Sequence, residues 1–204
     1  MDALVRGMLR GVQTVVSFEV SNLGGAPSGG PFPTLEPPAG LDWDAWLGPA
    51  PYHPYSQGIY NSWYDYLDFN VGALNDASHQ LDLARMVMGD PGHPKSMYGW
   101  GGNYAWDSER DAPEIQSITF DYEKFTMTCD SGNAMNYLSK TPTDIRMDPN
   151  RFPEWRTNAD RIEIYGTLGM MFLGRHGGGW QVFDKDEKIV AQDKGIFPLK
   201  AHIL

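Results

Sequence analysis

The chain has 204 residues, 41% of them hydrophobic, which is enough to bury one core, so we expect a single domain over residues 1–204. A formal net charge of -10 disfavours nucleic acid and anionic membranes as partners but accommodates a neutral, polyhydroxylated ligand. Cys129 is the only cysteine, which excludes a disulfide framework and favours the cytoplasm, although an export signal encoded upstream is compatible with the sequence.

The first part of the chain predicts little regular structure. A short helix over residues 2–10 ends at Gly11, and a strand follows over 12–20. Residues 22–70 are rich in Gly, Pro and aromatic residues, so we expect a long ordered loop with one helical turn at 42–47.

The second part predicts one helix and an antiparallel sheet. The helix spans 72–88, and the region 95–191 reads mainly as strands with short connections. The individual strands are expected at 95–106, 115–122, 125–132, 160–167, 169–175 and 179–184. The predicted class is α+β, an open antiparallel sheet packed on one main helix, with the long loop of 22–70 beside it.

The predicted helix carries two stripes of opposite character. Helical periodicity puts its apolar residues on one face, which we expect to meet the sheet: Leu74, Ala77, Leu81, Ala84 and Met88. The opposite stripe contains Asn75, His79, Asp82 and Met86. His79 and Asp82 lie one turn apart and can share a ligand, although a plain exposed helix histidine explains the same spacing. No third ligand is placed by spacing, so we expect no metal site.

Trp43 and Trp46 stand beside Asp42 and Asp44 in the helical turn of the loop. Aromatic rings next to carboxylates suit a sugar, so both tryptophans are candidate substrate contacts, while packing within the loop is the alternative interpretation. The sequence contains no Gly-rich nucleotide-phosphate motif, so no cofactor-binding residues are predicted.

Four segments together resemble a protein family. They are "GLDWDAWLGPAP" at 40–51, "HQLDLAR" at 79–85, "RDAPEIQ" at 110–116 and "RIEIYGTLGMMFLGRHGGGWQVF" at 161–183. In this order they resemble the C-terminal domain of the Gfo/Idh/MocA oxidoreductases. The resemblance implies an N-terminal Rossmann domain that binds NAD or NADP in the parent enzyme. The family's catalytic Glu-Lys-Pro motif is absent, so this chain resembles a fragment.

The resemblance also implies roles for the polar stripe. The signature of the family at this helix is an acidic or amide residue four positions before a histidine. Asn75 and His79 match it here, and Asp82 lies three positions further on. His79 would move the proton of a substrate hydroxyl, with Asn75 and Asp82 binding the substrate.

Two functions follow as expectations. The first is the substrate-binding and oligomerisation portion of a NAD(P)-dependent sugar or polyol oxidoreductase, which alone binds no cofactor and is inactive without a Rossmann domain. Because one helix covers only one face of an open sheet, we expect a homo-oligomer through the other face. The alternative is a non-enzymatic carbohydrate-binding or assembly module.

Overall fold

The computed structural model describes residues 11, 14–19, 31–132 and 137–195, and of residues 14–19 it describes the backbone alone. The helix expected over residues 2–10 lies outside the described residues. Eight strands form one sheet: β1 (Thr14–Glu19), β2 (Ser96–Gly102), β3 (Ile115–Asp121), β4 (Thr126–Gly132), β5 (Arg161–Tyr165), β6 (Gly169–Gly174), β7 (Gly179–Asp184) and β8 (Ile189–Asp193).

The strand order is β2-β3-β4-β1-β5-β6-β7-β8. Neighbouring strands are antiparallel, as expected, except that β1 runs parallel to β4. The parallel pair arises because the long loop and the main helix intervene between β1 and the β2–β4 meander, and parallel strands need such a crossover. This crossover brings the main helix onto the sheet.

The helices are short. They are α1 (Trp43–Leu47), α2 (Gln57–Asn61), α3 (Ser78–Val87) and α4 (Thr143–Arg146), with 3₁₀ turns at Trp63–Asp65, Gly72–Asn75 and Trp155–Thr157. None of the helices in the described part of the chain is long and apolar enough to cross a membrane.

The helix expected over 72–88 is divided into a 3₁₀ turn and α3. Gly72 has φ +83°, and a Cβ there would lie 2.8 Å from the carbonyl oxygen of Pro113, so glycine is required. The Ala73 amide donates to that same carbonyl at 3.0 Å, and the Leu74 amide donates to Oε1 of Gln116 at 2.8 Å. These bonds to the segment that enters β3 hold the tighter turn.

The core lies between α3 and one face of the sheet. Ala84 is fully buried there against Ile162, Ile164 and Val182, which are also fully buried. Leu81, Leu83, Val87 and Met88 of the helix region pack against the same cluster. The apolar face of the helix is therefore broader than the predicted stripe, and it includes Leu83 and Val87.

The face of the sheet away from α3, here called the second face, is partly covered. Phe172 of β6 lies on it, stacked on the ring of Trp155 at 5.7 Å, and the Trp155 indole donates to Oε1 of Gln181 at 2.7 Å. At the β2 edge, the register puts Tyr98 and Trp100 on the second face, where they are 71% and 51% exposed.

Two isoleucines test where the stability of the sheet originates. We expect Ile164→Ala to lower the free energy of unfolding by about 2–5 kcal/mol, because it opens a cavity in the packed core. Ile189→Ala, in edge strand β8 at 50% exposure, should cost less than about 1 kcal/mol. Urea denaturation measures both, and equal losses would contradict this location of the core.

Candidate functional site

The N-terminal half of α3 presents His79 and Asp82 to solvent. Both side chains are exposed, whereas Ala77 and Ala84 on the other side of the helix are fully buried. The backbone amide of His79 donates to the carbonyl of Asp76 at 3.4 Å, which ties the first turn of α3 to the segment before the helix. The predicted separation of apolar and polar faces is thus present, while a role of His79 in catalysis stays a prediction.

Asn75 belongs to the 3₁₀ turn rather than to α3. Its side chain is half-buried, and its carbonyl accepts a hydrogen bond from the Ser78 hydroxyl at 3.2 Å. Because the 3₁₀ turn separates it from the α-helix, Asn75 does not share the regular helical spacing that the sequence pattern assumed.

Asp76 is the centre of an ion cluster at the start of α3. The Lys140 ammonium lies 2.5 Å from its Oδ2, and Arg175 donates to its carbonyl at 3.3 Å. The three side chains are only 12–18% exposed. Sequence reasoning missed this cluster, because its members lie 35 or more positions apart and form no local pattern.

The cluster sets the charge state of Asp76. Burial by itself raises the pKa of this carboxyl. The hydrogen bond and the charge of Lys140 act in the opposite direction, and the charges of Arg175 and His79 add to them. The net result is a pKa of Asp76 below its ordinary value, so the carboxylate is ionised near neutral pH.

A histidine–aspartate pair adjoins this cluster on the β6–β7 turn. Nδ1 of His176 lies 2.6 Å from Oδ2 of Asp160, whose side chain is fully buried, while the His176 side chain is 27% exposed. The Thr141 hydroxyl lies 3.3 Å from the other oxygen of Asp160. This turn belongs to the family motif at 161–183, but no local pattern predicted a role for His176.

The "RDAPEIQ" segment holds the aromatic loop in place. Nη1 of Arg110 lies 3.2 Å from Oδ1 of Asp65, and both side chains are nearly fully buried. Oε2 of the fully buried Glu114 accepts the backbone amides of Tyr104 and Ala105 at 2.9 and 2.8 Å. This motif therefore joins the loop and the end of β2 to β3.

Trp43 and Trp46 lie in an aromatic cluster of that loop. Their rings stack at 4.5 Å, and Trp43, only 6% exposed, also meets the edge of Tyr55 and donates its indole N–H to the carbonyl of His53 at 2.8 Å. Trp46 is half-buried and also contacts Phe69. None of the described contacts joins either indole to His79.

Charges of both signs lie at the start of α3. Asp76 stands two residues before α3 begins at Ser78, with the cations of Lys140 and Arg175 beside it. In the described ranges, no group of three or more His, Cys, Asp or Glu side chains is arranged to hold a metal ion. The chemistry available at the exposed face of α3 is that of His79 and its polar neighbours.

Comparison with family profiles identifies the class of this fold. Residues 31–133 match the profile of an oxidoreductase family, C-terminal alpha/beta domain. This match spans just over half of the chain, and the chain therefore belongs to the Gfo/Idh/MocA oxidoreductase family, as its sequence motifs predicted. No curated protein matches the sequence.

Three solved structures are similar to this chain at low sequence identity. A putative oxidoreductase from Thermotoga maritima has 12% identity and a TM-score of 0.50, with 98% of this chain and 47% of that chain covered. An oxidoreductase from Agrobacterium radiobacter in complex with NAD+, L-tartaric acid and magnesium has 17% identity and a TM-score of 0.46, with 95% of this chain and 41% of that chain covered.

A levoglucosan dehydrogenase in complex with NADH and levoglucosan has 12% identity and a TM-score of 0.45, with 93% of this chain and 40% of that chain covered. The chain thus spans less than half of the length of each of these three structures.

The Asp76 cluster generates a prediction about stability and pH. Asp76→Asn should lower the free energy of unfolding at pH 7 by about 1.5–3 kcal/mol, because a charged hydrogen bond of little exposure is lost. A carboxyl whose pKa is lowered by folding stabilises the folded state at pH values above its pKa in the unfolded chain. This stabilisation is lost as the pH falls through its pKa in the folded state. The difference in free energy of unfolding between the unchanged chain and Asp76→Asn should therefore shrink as the pH is lowered below about 4.

Asp90→Asn provides the matched control. Asp90 forms an ion pair with Arg85 at a side-chain exposure of 76%, so its replacement should cost less than about 1 kcal/mol. Urea titrations from pH 7 to pH 3 measure both variants. An equal cost for the two, or a difference for Asp76→Asn that is independent of pH, would contradict the role of the cluster.

Proposed function

We propose that this chain forms the substrate side of a NAD(P)-dependent sugar or polyol oxidoreductase, with His79 as its acid–base residue. The observation that carries the proposal is the position of His79, exposed on α3 directly opposite the face that buries Ala77 and Ala84. A helix fixed on one side by a packed core holds such a side chain in a defined place without making it part of the core.

The proposed reaction removes two groups from a secondary alcohol. The carbon loses a hydride and the hydroxyl loses a proton, which leaves a ketone. When bound, the dinucleotide supplies the hydride acceptor. His79 takes the hydroxyl proton on a ring nitrogen, which is a common role of an imidazole in general acid–base catalysis.

The neighbouring polar residues orient the hydroxyl. Asp82 lies one turn from His79 and accepts hydrogen bonds from substrate hydroxyls as a carboxylate. Asn75 contributes only hydrogen bonds, because an amide does not take up a proton at this pH. Trp43 and Trp46 stay predicted sugar contacts, and the half-buried Trp46 is the one that a ligand reaches first.

The dinucleotide is held outside these 204 residues in this proposal. The absence of a Gly-rich phosphate motif in the sequence supports this division. We therefore expect no NAD(H) binding and no turnover from this chain alone. The net charge of -10 supports the absence of nucleic-acid and anionic-membrane partners, and the single cysteine favours the cytoplasm.

A homo-oligomer through the second face of the sheet belongs to the same proposal. Tyr98 and Trp100 are large, exposed rings on that face, and apolar sheet surfaces are commonly buried against another subunit.

His79→Ala tests the proposed catalytic role in an enzyme completed with a dinucleotide-binding domain. It should lower kcat by about 10²- to 10⁴-fold, which is the range expected for a lost acid–base group. NAD(P) affinity and the melting temperature should stay unchanged, because His79 makes no core contact. Steady-state kinetics and thermal denaturation provide the measurements.

His93→Ala is the control, since His93 is also exposed but follows the C-terminal end of α3. It should leave kcat unchanged. Full turnover of His79→Ala would exclude the catalytic role. If the completed protein binds sugars but oxidises none of them, the carbohydrate-binding alternative replaces the enzyme.

The oligomer is tested by sedimentation of the unchanged chain and of Trp100→Glu. We expect association of the unchanged chain at micromolar concentration and a shift toward monomer in Trp100→Glu, because the added charge is costly to bury. Tyr52→Glu, at a loop residue of 72% exposure, should leave association unchanged. A folded monomer for the unchanged chain would contradict this part of the proposal.

A further inference from the structure

The two edges of the sheet are protected to different degrees. In the described part of the chain, β2 and β8 are the end strands, so each presents a row of backbone N–H and C=O groups that no described strand pairs. Natural proteins shield such edges, because an exposed edge pairs readily with a strand of another chain. An edge that lacks shielding therefore indicates an interaction surface.

The β8 edge is shielded. The strand is only five residues long, and a register irregularity between Val182 and Phe183 interrupts its pairing with β7. Charged side chains flank it on both sides, at residues 186–188 before the strand and at Lys194 after it. Short length, charge and β-bulges all discourage pairing at an edge.

The β2 edge has none of these features. Its seven residues pair with β3 in an unbroken register, and residues 96–106 contain neither a charged residue nor a proline. Six of the seven residues are exposed. Tyr98 and Trp100 on the second face are 71% and 51% exposed, and Met97 on the face toward α3 is 64% exposed. A long, uncharged edge with large apolar side chains is a template for strand pairing.

The sequence of β2 is complementary to itself. When two copies pair antiparallel about a two-fold axis at Gly99, Tyr98 of each copy lies opposite Trp100 of the other. Directly opposed aromatic rings on one face stabilise a strand pair. On the other face Met97 lies opposite Gly101, which leaves room for its side chain. No charged side chain of β2 enters this pairing, although each copy carries a net charge of -10.

We propose that two copies of this chain pair along β2 about a two-fold axis at Gly99, which joins their two eight-stranded sheets into one. This contact is distinct from association through the second face, because it uses the backbone groups of an edge. It does not rest on the proposed enzymatic activity. The β2 edge of both copies is used, so the assembly closes as a dimer, and only the shielded β8 edges remain at its ends.

Gly99→Cys tests the position of the axis. A Cβ at Gly99 would lie 3.5 Å from the carbonyl oxygen of Ser117, its nearest neighbour, so the strand accepts a side chain there. Opposed residues at the axis have Cα atoms about 4.5–5.5 Å apart, which a disulfide spans. We expect a disulfide-linked dimer under mild oxidation at micromolar concentration, measured by non-reducing gel electrophoresis. The unchanged chain should stay unlinked, because Cys129 is fully buried.

Ser96→Cys is the matched control, since it is an exposed position of the same strand. In the proposed register the two copies of residue 96 lie about 20 Å apart, too far for a disulfide. A folded Gly99→Cys chain that forms no linked dimer overturns the proposal. A linked Ser96→Cys dimer beside an unlinked Gly99→Cys chain also overturns it, while association through the second face then stands.

Met97→Lys measures the contact without a disulfide, and it decides if Gly99→Cys does not fold. Its charge lies beside the paired strands on the face toward α3, away from the second face. It should raise the dissociation constant at least about tenfold in sedimentation, because the charge is costly to bury. Met147→Lys, at 76% exposure outside the sheet, should associate like the unchanged chain. Equal association of Met97→Lys overturns the edge contact, and a monomeric unchanged chain overturns both modes of association.

Discussion

The packing of α3 on one face of the sheet is the constraint on which the remaining structure depends. Ala77 and Ala84 are fully buried, and their small side chains allow the helix backbone to lie close to the strands. Since an α-helix rotates its side chains around a fixed axis, this contact also determines which residues face outward. The exposure of His79 and Asp82 is therefore a direct consequence of the core.

Two polar clusters complete the positioning of the loops around this helix. Arg110 and Asp65 join the aromatic loop to the entry of β3, and Asp76 with Lys140 joins the start of α3 to the segment before α4. Buried ion pairs of this kind contribute little net stability when compared with apolar packing, yet the loss of one partner is costly. Their effect is to hold sequence-distant segments in one arrangement.

The polar surface where α3 begins combines residues of different chain segments. His79 comes from the helix, whereas His176 and Asp160 come from the second half of the sheet, and Arg175 contacts both parts. The matched profile, that of the C-terminal alpha/beta domain of an oxidoreductase family, covers the part of this surface that α3 contributes.

The sequence by itself determined the elements and faces that depend on local periodicity. The strands other than β8, the apolar face of α3 and the exposure of His79 were predictable because side-chain direction repeats every 2 residues in a strand and about every 3.6 in a helix. The family motifs likewise identified the class of domain.

The separation of Asn75 from α3 was not predictable, since the 3₁₀ turn depends on hydrogen bonds to Pro113 and Gln116, some 40 positions away. Only the tertiary structure decided the parallel β1–β4 pair and the meeting of Asp76 with Lys140, because both depend on how distant segments cross, and no local pattern records that.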